Sequence, residues 1–194
     1  DVKEGGIIFP LMFGLSLPII ILIAVAAYLL FLYNMLAKMK VVIKEAWSTV
    51  DVQLKRRADL IPNIVETVKG YASHEKEVFE KVTKARSAVM NANGVSETAD
   101  ADNMLTGALK SLFAVAEAYP ELKAQANFSD LQKELSGTED KIAYARQFYN
   151  ATVKDFNTKI VTFPNNLLSQ VFGFKREPFF EATSSERENV EVKF

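Results

Sequence analysis

The chain has 194 residues, with 23 Lys+Arg against 24 Asp+Glu, few Gly or Pro, and no Cys. The missing cysteine excludes disulfides, thiol catalysis and thiolate metal sites, and scarce Gly and Pro favour helices over turn-rich β structure. Setting aside Asp1, Lys3 and Glu4 leaves 22 charges of each sign from Lys38 onward. A domain so balanced lacks the positive surplus that phosphate backbones demand, so nucleic acid is not an expected partner.

Residues 5–37 carry no charged side chain. A bilayer core of about 30 Å is crossed by roughly 20 apolar residues in a helix. Residues 18–36 satisfy this, and residues 7–17 add an apolar approach. A helix is the natural form, because lipid offers backbone groups no partners. The run is too long for a signal-peptide core and has no clear small-residue cleavage site at its end, so it reads as a retained anchor. Lys38, Lys40 and Lys44 follow it and only Lys3 precedes it. The positive-inside rule then predicts an outside N-terminus and a cytoplasmic remainder. Tyr28, Phe31 and Tyr33 are spaced like an aromatic belt at the inner surface. The run 7–36 exceeds one perpendicular crossing at about 1.5 Å per residue. Tilt, a kink at Pro18, or an interfacial start near Pro10 would absorb the excess.

The soluble part opens near Val41 with an amphipathic helical stripe: Trp47, Val50, Leu54, Ala58, Ile61, Val65, Val68 and Ala72. Pro62 predicts a kink or break near Ile61. The pattern resumes through Val78, Val82, Ala85 and Val89, and Asn91-Ala92-Asn93-Gly94 ends it. A second helix is expected over 97–118, with Ser96 as N-cap and with Glu97, Asp100 and Asp102 suiting its positive start. Its buried face would be Ala101, Leu105, Ala108, Leu112, Ala116 and Tyr119. Pro120 closes it or opens a short turn over 121–124. The third helix holds a near-heptad, coiled-coil-like stripe: Phe128, Leu131, Leu135, Thr138, Ile142, Ala145, Tyr149, Thr152, Phe156, Ile160 and Phe163. Gly137 suggests a local bend. Pro164 stops the helix, residues 165–172 form one or two more turns, and Gly173 ends them. Pro178, Phe179 and Phe180 look like an extended segment packing aromatics on the bundle. Residues 183–194 are polar and expected to be mobile.

Several stretches resemble the LemA family. They are Glu45-Ala46-Trp47, the run from Asp51 to Asn63, the run from Val65 to Tyr71, and the run from Ala116 to Lys123. The run from Ile142 to Gln147, Tyr149-Asn150, Phe163-Pro164, the run from Pro178 to Ala182, and Tyr33-Asn34 agree as well. The resemblance covers about residues 33–182. It implies a bacterial protein with one N-terminal membrane helix and an antiparallel helical bundle. It implies no reaction and supplies no catalytic residues.

The motifs that carry chemistry are sparse. Lys55-Arg56-Arg57 suits anionic headgroups or a partner, or else ion pairs inside the bundle, with Asp51 and Asp59 one turn either side of Lys55. On a helix projecting straight out, the cluster stands over about 20 Å from the membrane, beyond most headgroup attraction. His74, the single histidine, has no second imidazole and no thiolate to share a metal; His74-Glu75 with Glu77 could bind a cation weakly, and the favoured reading is a solvated helix face. Ser73 to Lys76 spells S-x-x-K, but the companion motifs of that hydrolase class are missing and a helix is expected there. Adjacent Glu139 and Asp140 point about 100° apart and make no paired-carboxylate site. No phosphate-binding glycine loop occurs. The sequons at Asn127 and Asn150 fall at or within helices. Arg146, Gln147, Asn150 and Asn157 on the third helix are candidates for interior hydrogen bonds or for a subunit interface.

The expected fold is all-α: a single N-terminal transmembrane helix with its approach over 1–37, an antiparallel up-and-down bundle over 38–172, and an extended tail over 173–194. No catalytic, cofactor-binding or metal-ligating residue is assigned. The expected role is a non-enzymatic scaffold or organiser that self-assembles at the bacterial inner membrane, single-pass, with membrane lipid and its own copies as partners. The alternative is an adaptor or regulator of another envelope protein, such as a sensor kinase or membrane protease.

Overall fold

A computed structural model describes residues 5–181, with side chains from Leu17 onward. The side chains of the apolar approach before Leu17, and the polar tail from residue 183, lie outside the described residues. Six helices are described: α1 (Gly5–Lys69), α2 (Lys76–Asn91), α3 (Gly94–Glu117), α4 (Pro120–Lys123), α5 (Ala126–Val161) and α6 (Asn165–Val171). The all-α expectation is met. Among the described residues α1 alone is long and apolar enough to cross a membrane. It contains Pro18 and continues through it without interruption.

Two compact units form. The first joins the chain up to Val42 with Phe156–Arg176, and the second joins Ile43–Asp155 with the chain from Glu177.

In the first unit, α1 exposes Leu17, Ile19, Ile20, Ile21, Leu22 and Ile23, whereas Leu32 and Leu36 are 1% and 0% exposed. Part of the last third of the apolar run therefore also serves as core. Phe156 and Ile160 at the end of α5 are buried in the same unit. Tyr33 meets the rings of Phe172 and Phe174 at 5.4 and 5.9 Å, and Phe156 meets Phe174 at 6.3 Å. A paired-bond cap ends α6: the Phe174 N–H donates to the Ser169 carbonyl (2.9 Å) and the Gly173 N–H to that of Gln170 (3.1 Å). That cap needs a left-handed residue, and Gly173 supplies φ +73°. Phe163 was expected on the buried stripe of α5, but the helix stops at Val161 and Phe163 is exposed. Pro164 ends the helix before the stripe's last position is reached.

The second unit packs residues of α1, α2, α3 and α5 around one core. Every apolar position of the stripe from Val50 to Ala72 is buried, with Ala72 just past the end of α1, joined by Ala46 and Ile64. Trp47 is half-buried. From α3, Ala101, Leu105, Ala108, Leu112 and Ala116 are buried as expected, together with Thr98, Ala99, Asp102 and Leu109. Tyr119 stays half-exposed. From α5 come Phe128, Leu135, Ile142, Ala145, Tyr149 and Val153. Gly137 lies inside α5 with the helix unbroken around it.

The break anticipated at Pro62 is not there. α1 continues to Lys69 and turns only at Gly70. Pro62 has no N–H for the carbonyl of Ala58, four residues earlier. Arg86 of α2 fills that gap, its Nε–H donating to the Ala58 carbonyl at 2.8 Å. The start of α3 also differs from expectation. Its N-cap is Asn93, not Ser96, and Glu97 accepts from the Asn93 N–H at 3.1 Å. Gly94 at φ +81° permits the two-residue connection from α2.

Candidate functional site

Two polar constellations stand out, both in the second unit. The first grows from Arg57. Its guanidinium is buried, with Nη1 donating to Asp102 Oδ1 (2.8 Å) and Nη2 to Thr106 Oγ1 (3.0 Å). Glu139 Oε1 lies 3.4 Å from Nη2. The Thr106 hydroxyl donates in turn to the Asp102 carbonyl (3.0 Å). Among the described residues Arg57 Nε finds no hydrogen-bond partner. Three helices thus meet on one planar cation, a residue type suited to buried pairing because its fork matches carboxylates. The basic cluster is split by this arrangement. Arg57 goes inward and pairs with Asp102, not Asp59. Lys55 bonds Asp51 on the surface at 2.7 Å, and Arg56 lies 3.6 Å from Glu134. Asp102 does not serve the helix start: it lies more than two turns into α3 and faces the core.

Beside this network runs a groove of about 640 Å³. Arg57, Lys110 and Arg146 line it with Asp102, Glu139 and Asp140, over an apolar floor that includes Leu109 and Phe113. Its charges balance, so no strong field selects an anion or a cation. Ser136 is on the wall, with no histidine on the lining to activate it.

The second constellation fixes the extended segment after Glu177. Asn150 clamps the Phe180 backbone in both directions: Nδ2 donates to the carbonyl (2.9 Å) and Oδ1 accepts from the N–H (2.8 Å). The Tyr149 hydroxyl donates to the Pro178 carbonyl at 2.9 Å. Burial, with Glu177 nearby, pushes the Tyr149 phenol up to about 12. The Phe180 ring is buried between Trp47 (6.1 Å) and the Arg146 guanidinium (4.7 Å), and Trp47 meets Tyr149 at 5.6 Å. Phe180 therefore packs on the bundle as expected, while Phe179 points out. Of the polar candidates on α5, Asn150 makes interior bonds, Arg146 stacks on Phe180, Asn157 is half-buried and Gln147 is exposed.

Ser73 and His74 lie in the turn between α1 and α2, not within a helix as expected, and both are exposed. Gly70 ends α1, and α2 begins only at Lys76. Among the described residues no three His, Asp or Glu side chains gather as a metal site.

A family model described as LemA family matches residues 46–194. The chain belongs to the LemA family. A LemA-family relative, Protein LemA of Metamycoplasma hominis, is 30% identical over 155 residues, covering 77% of this chain and 69% of its own. Magnetosome protein MamQ 2 of Paramagnetospirillum magneticum is 26% identical, covering 82% of this chain and 68% of its own. Magnetosome protein MamQ of Magnetospirillum gryphiswaldense is 25% identical, covering 88% and 72%. The family match over residues 46–194 spans both constellations, so the buried ion network and the clamped segment lie inside the family's extent.

Proposed function

We propose that this LemA-family chain is a non-enzymatic, single-pass membrane protein that self-assembles, its bundle serving as a scaffold or organiser at the bacterial inner membrane. The N-terminus lies outside and the bundle in the cytoplasm, following the lysines after the apolar run. The observation that carries the self-assembly is on the α1–α5 seam of the second unit. Tyr144 is 74% exposed, and Phe148, one turn on, is also exposed. Tyr144 shares a cavity of about 340 Å³ with Thr49, Gln53 and Lys141. Among the described residues Gln53 Oε1 there finds no hydrogen-bond partner, and it is buried. Exposed aromatics on this seam suit a second copy, which anchoring holds in the same orientation in the same plane. The relatives' names, Protein LemA and magnetosome protein, specify no reaction.

The test is the mass of the detergent-solubilised full chain by light scattering. Several copies per particle are expected, falling to one in Tyr144→Ser with Phe148→Ser. A wild-type monomer at micromolar concentration sinks the proposal. The adaptor reading draws on the 640 Å³ groove, which is large enough to take side chains of another protein. In-cell crosslinking from Lys110 decides between them: one dominant foreign product favours the adaptor, and self-products favour the scaffold.

A further inference from the structure

Within the first unit, α6 and the turn before it carry an apolar face that no other described residue covers. Phe163, Leu167 and Val171 are 80%, 57% and 78% exposed. They recur every four residues, so the two on α6 share one side of that helix. The other side is tied down. The Ser169 hydroxyl is buried and donates to the Ile160 carbonyl at 2.9 Å.

The height of this face along α1 is fixed by two contacts. The Tyr28 hydroxyl donates to Asn165 Oδ1 at 3.2 Å, and Tyr33 meets Phe172 at 5.4 Å. α6 therefore runs beside the Tyr28 to Tyr33 stretch of α1. That stretch bears Leu30 and Phe31, both widely exposed and part of the uncharged run. An apolar surface that belongs to the lipid-facing helix thus continues onto α6 at the same depth.

Charge supports the same occupant. The described residues of this unit contain Lys38, Lys40, Lys159, Lys175 and Arg176, and no Asp or Glu. Asp155 and Glu177 directly abut the unit's second segment, so the basic excess here is five to two in a chain that is otherwise balanced. Lys159, four residues before Phe163, and Lys175, four residues after Val171, bracket an apolar face, the pattern of a segment seated at an anionic headgroup boundary. Asn165, Asn166 and Gln170 on the same short helix suit the boundary and not the hydrocarbon centre.

We infer that Phe163 and α6 form a second membrane contact, dipping Phe163, Leu167 and Val171 into the headgroup–acyl boundary of an anionic bilayer. The hydrocarbon crossing then ends near Tyr28, and Phe163, nearest that level, sits deepest. This inference rests on the reading that α1 spans the bilayer.

The chain has no cysteine, so single cysteines can carry an environment-sensitive fluorophore at Leu22, Phe163, Leu167 or Val171. All four side chains are exposed, so labelling spares the packing. The full-length chain is reconstituted in vesicles of phosphatidylcholine with phosphatidylglycerol. The lipids carry a nitroxide quencher either near the headgroup or deep in the acyl chain. The Leu22 label should lose emission to the deep quencher. The Phe163, Leu167 and Val171 labels should lose it to the shallow one, in falling order from Phe163 to Val171, and resist aqueous iodide. Labels at 163–171 that iodide quenches and the nitroxides do not would overturn the inference while a quenched Leu22 keeps the anchor. Protection of those labels from both quenchers, with disulfide-linked dimers forming through unlabelled Phe163→Cys, would assign the face to a second copy and also overturn it. A Leu22 label that the deep quencher fails to dim would bring down the anchor reading, and this inference with it.

Discussion

Two arginines carry unusual loads for single side chains. Arg86 repairs a defect made by a residue on another helix. Without it, the Ala58 carbonyl facing Pro62 has neither a backbone donor nor the guanidinium that now reaches it. Arg86→Ala should cost about 1–3 kcal/mol, the penalty of a stranded buried acceptor. In a Pro62→Ala background the backbone supplies the missing N–H, so the same substitution should cost little. A thermal-melt double-mutant cycle measures the coupling, and equal costs in both backgrounds would refute the repair. Arg57 poses a different problem, because a buried ion pair is weak evidence of stability until one half is removed. Arg57→Met alone takes the guanidinium away from the buried Asp102 carboxylate and should cost about 3–5 kcal/mol, whereas Arg57→Met with Asp102→Leu should recover most of it. If the double variant melts no higher than the single one in guanidinium or heat, the network contributes more than paired desolvation explains.

At the scale of elements, the extended segment from Glu177 to Phe180 is held by α5 through contacts that form no regular secondary structure. Its anchor is the Asn150 amide, which gives the backbone the pair of bonds a neighbouring strand would offer. Tyr149 adds a pH-dependent bond. Its phenol titrates near 10 when unfolded and near 12 when folded, so the folded state keeps a proton longer. The stabilisation is complete below about pH 10 and lost as pH climbs toward 12. Trp47, the single tryptophan, touches both Tyr149 and Phe180 and reports their separation by fluorescence. An alkaline change in that signal is expected for the wild-type chain, with a smaller one in Tyr149→Phe; an identical change in both would assign it elsewhere. Periodicity made the helices legible: the stripe from Val50 to Ala72 is buried throughout because the rule records one face. It could not show that Asp102 turns inward, since an acid near a helix start looks the same whether it meets the dipole or a distant arginine. It could not show that α1 survives Pro62, because the remedy sits 24 residues downstream. Phe163 kept the stripe's spacing beyond the helix that gave the stripe meaning. The Asn150 clamp was half visible, as a polar residue among apolar ones, but its backbone partner left no pattern.

For the molecule as a whole, the question is whether the anchor can be cut from the fold. Sequence suggests a boundary where charge begins, at Lys38. The first unit gives a reason to doubt that a fragment begun there keeps its structure. Leu32 and Leu36 are buried in that unit, and Tyr33 meets Phe172 and Phe174. Losing the two leucines forfeits roughly 1.5–3 kcal/mol for each buried side chain. It also bares the aromatic rings that Tyr33 now covers. A chain begun at Lys38 should therefore lose amide protection in α6 and at the end of α5, and should associate through the rings it exposes. A chain begun at Tyr28 retains the whole contact and should keep that protection, although most of the uncharged run is gone. Hydrogen exchange read by mass spectrometry on the two fragments compares them directly. If α6 exchanges equally slowly in both, the last third of the apolar run serves only the membrane and the packing of Leu32 and Leu36 is dispensable. If it is slow only in the longer fragment, one helix works in two solvents, and the bundle is not a passenger on its anchor but is built partly from it.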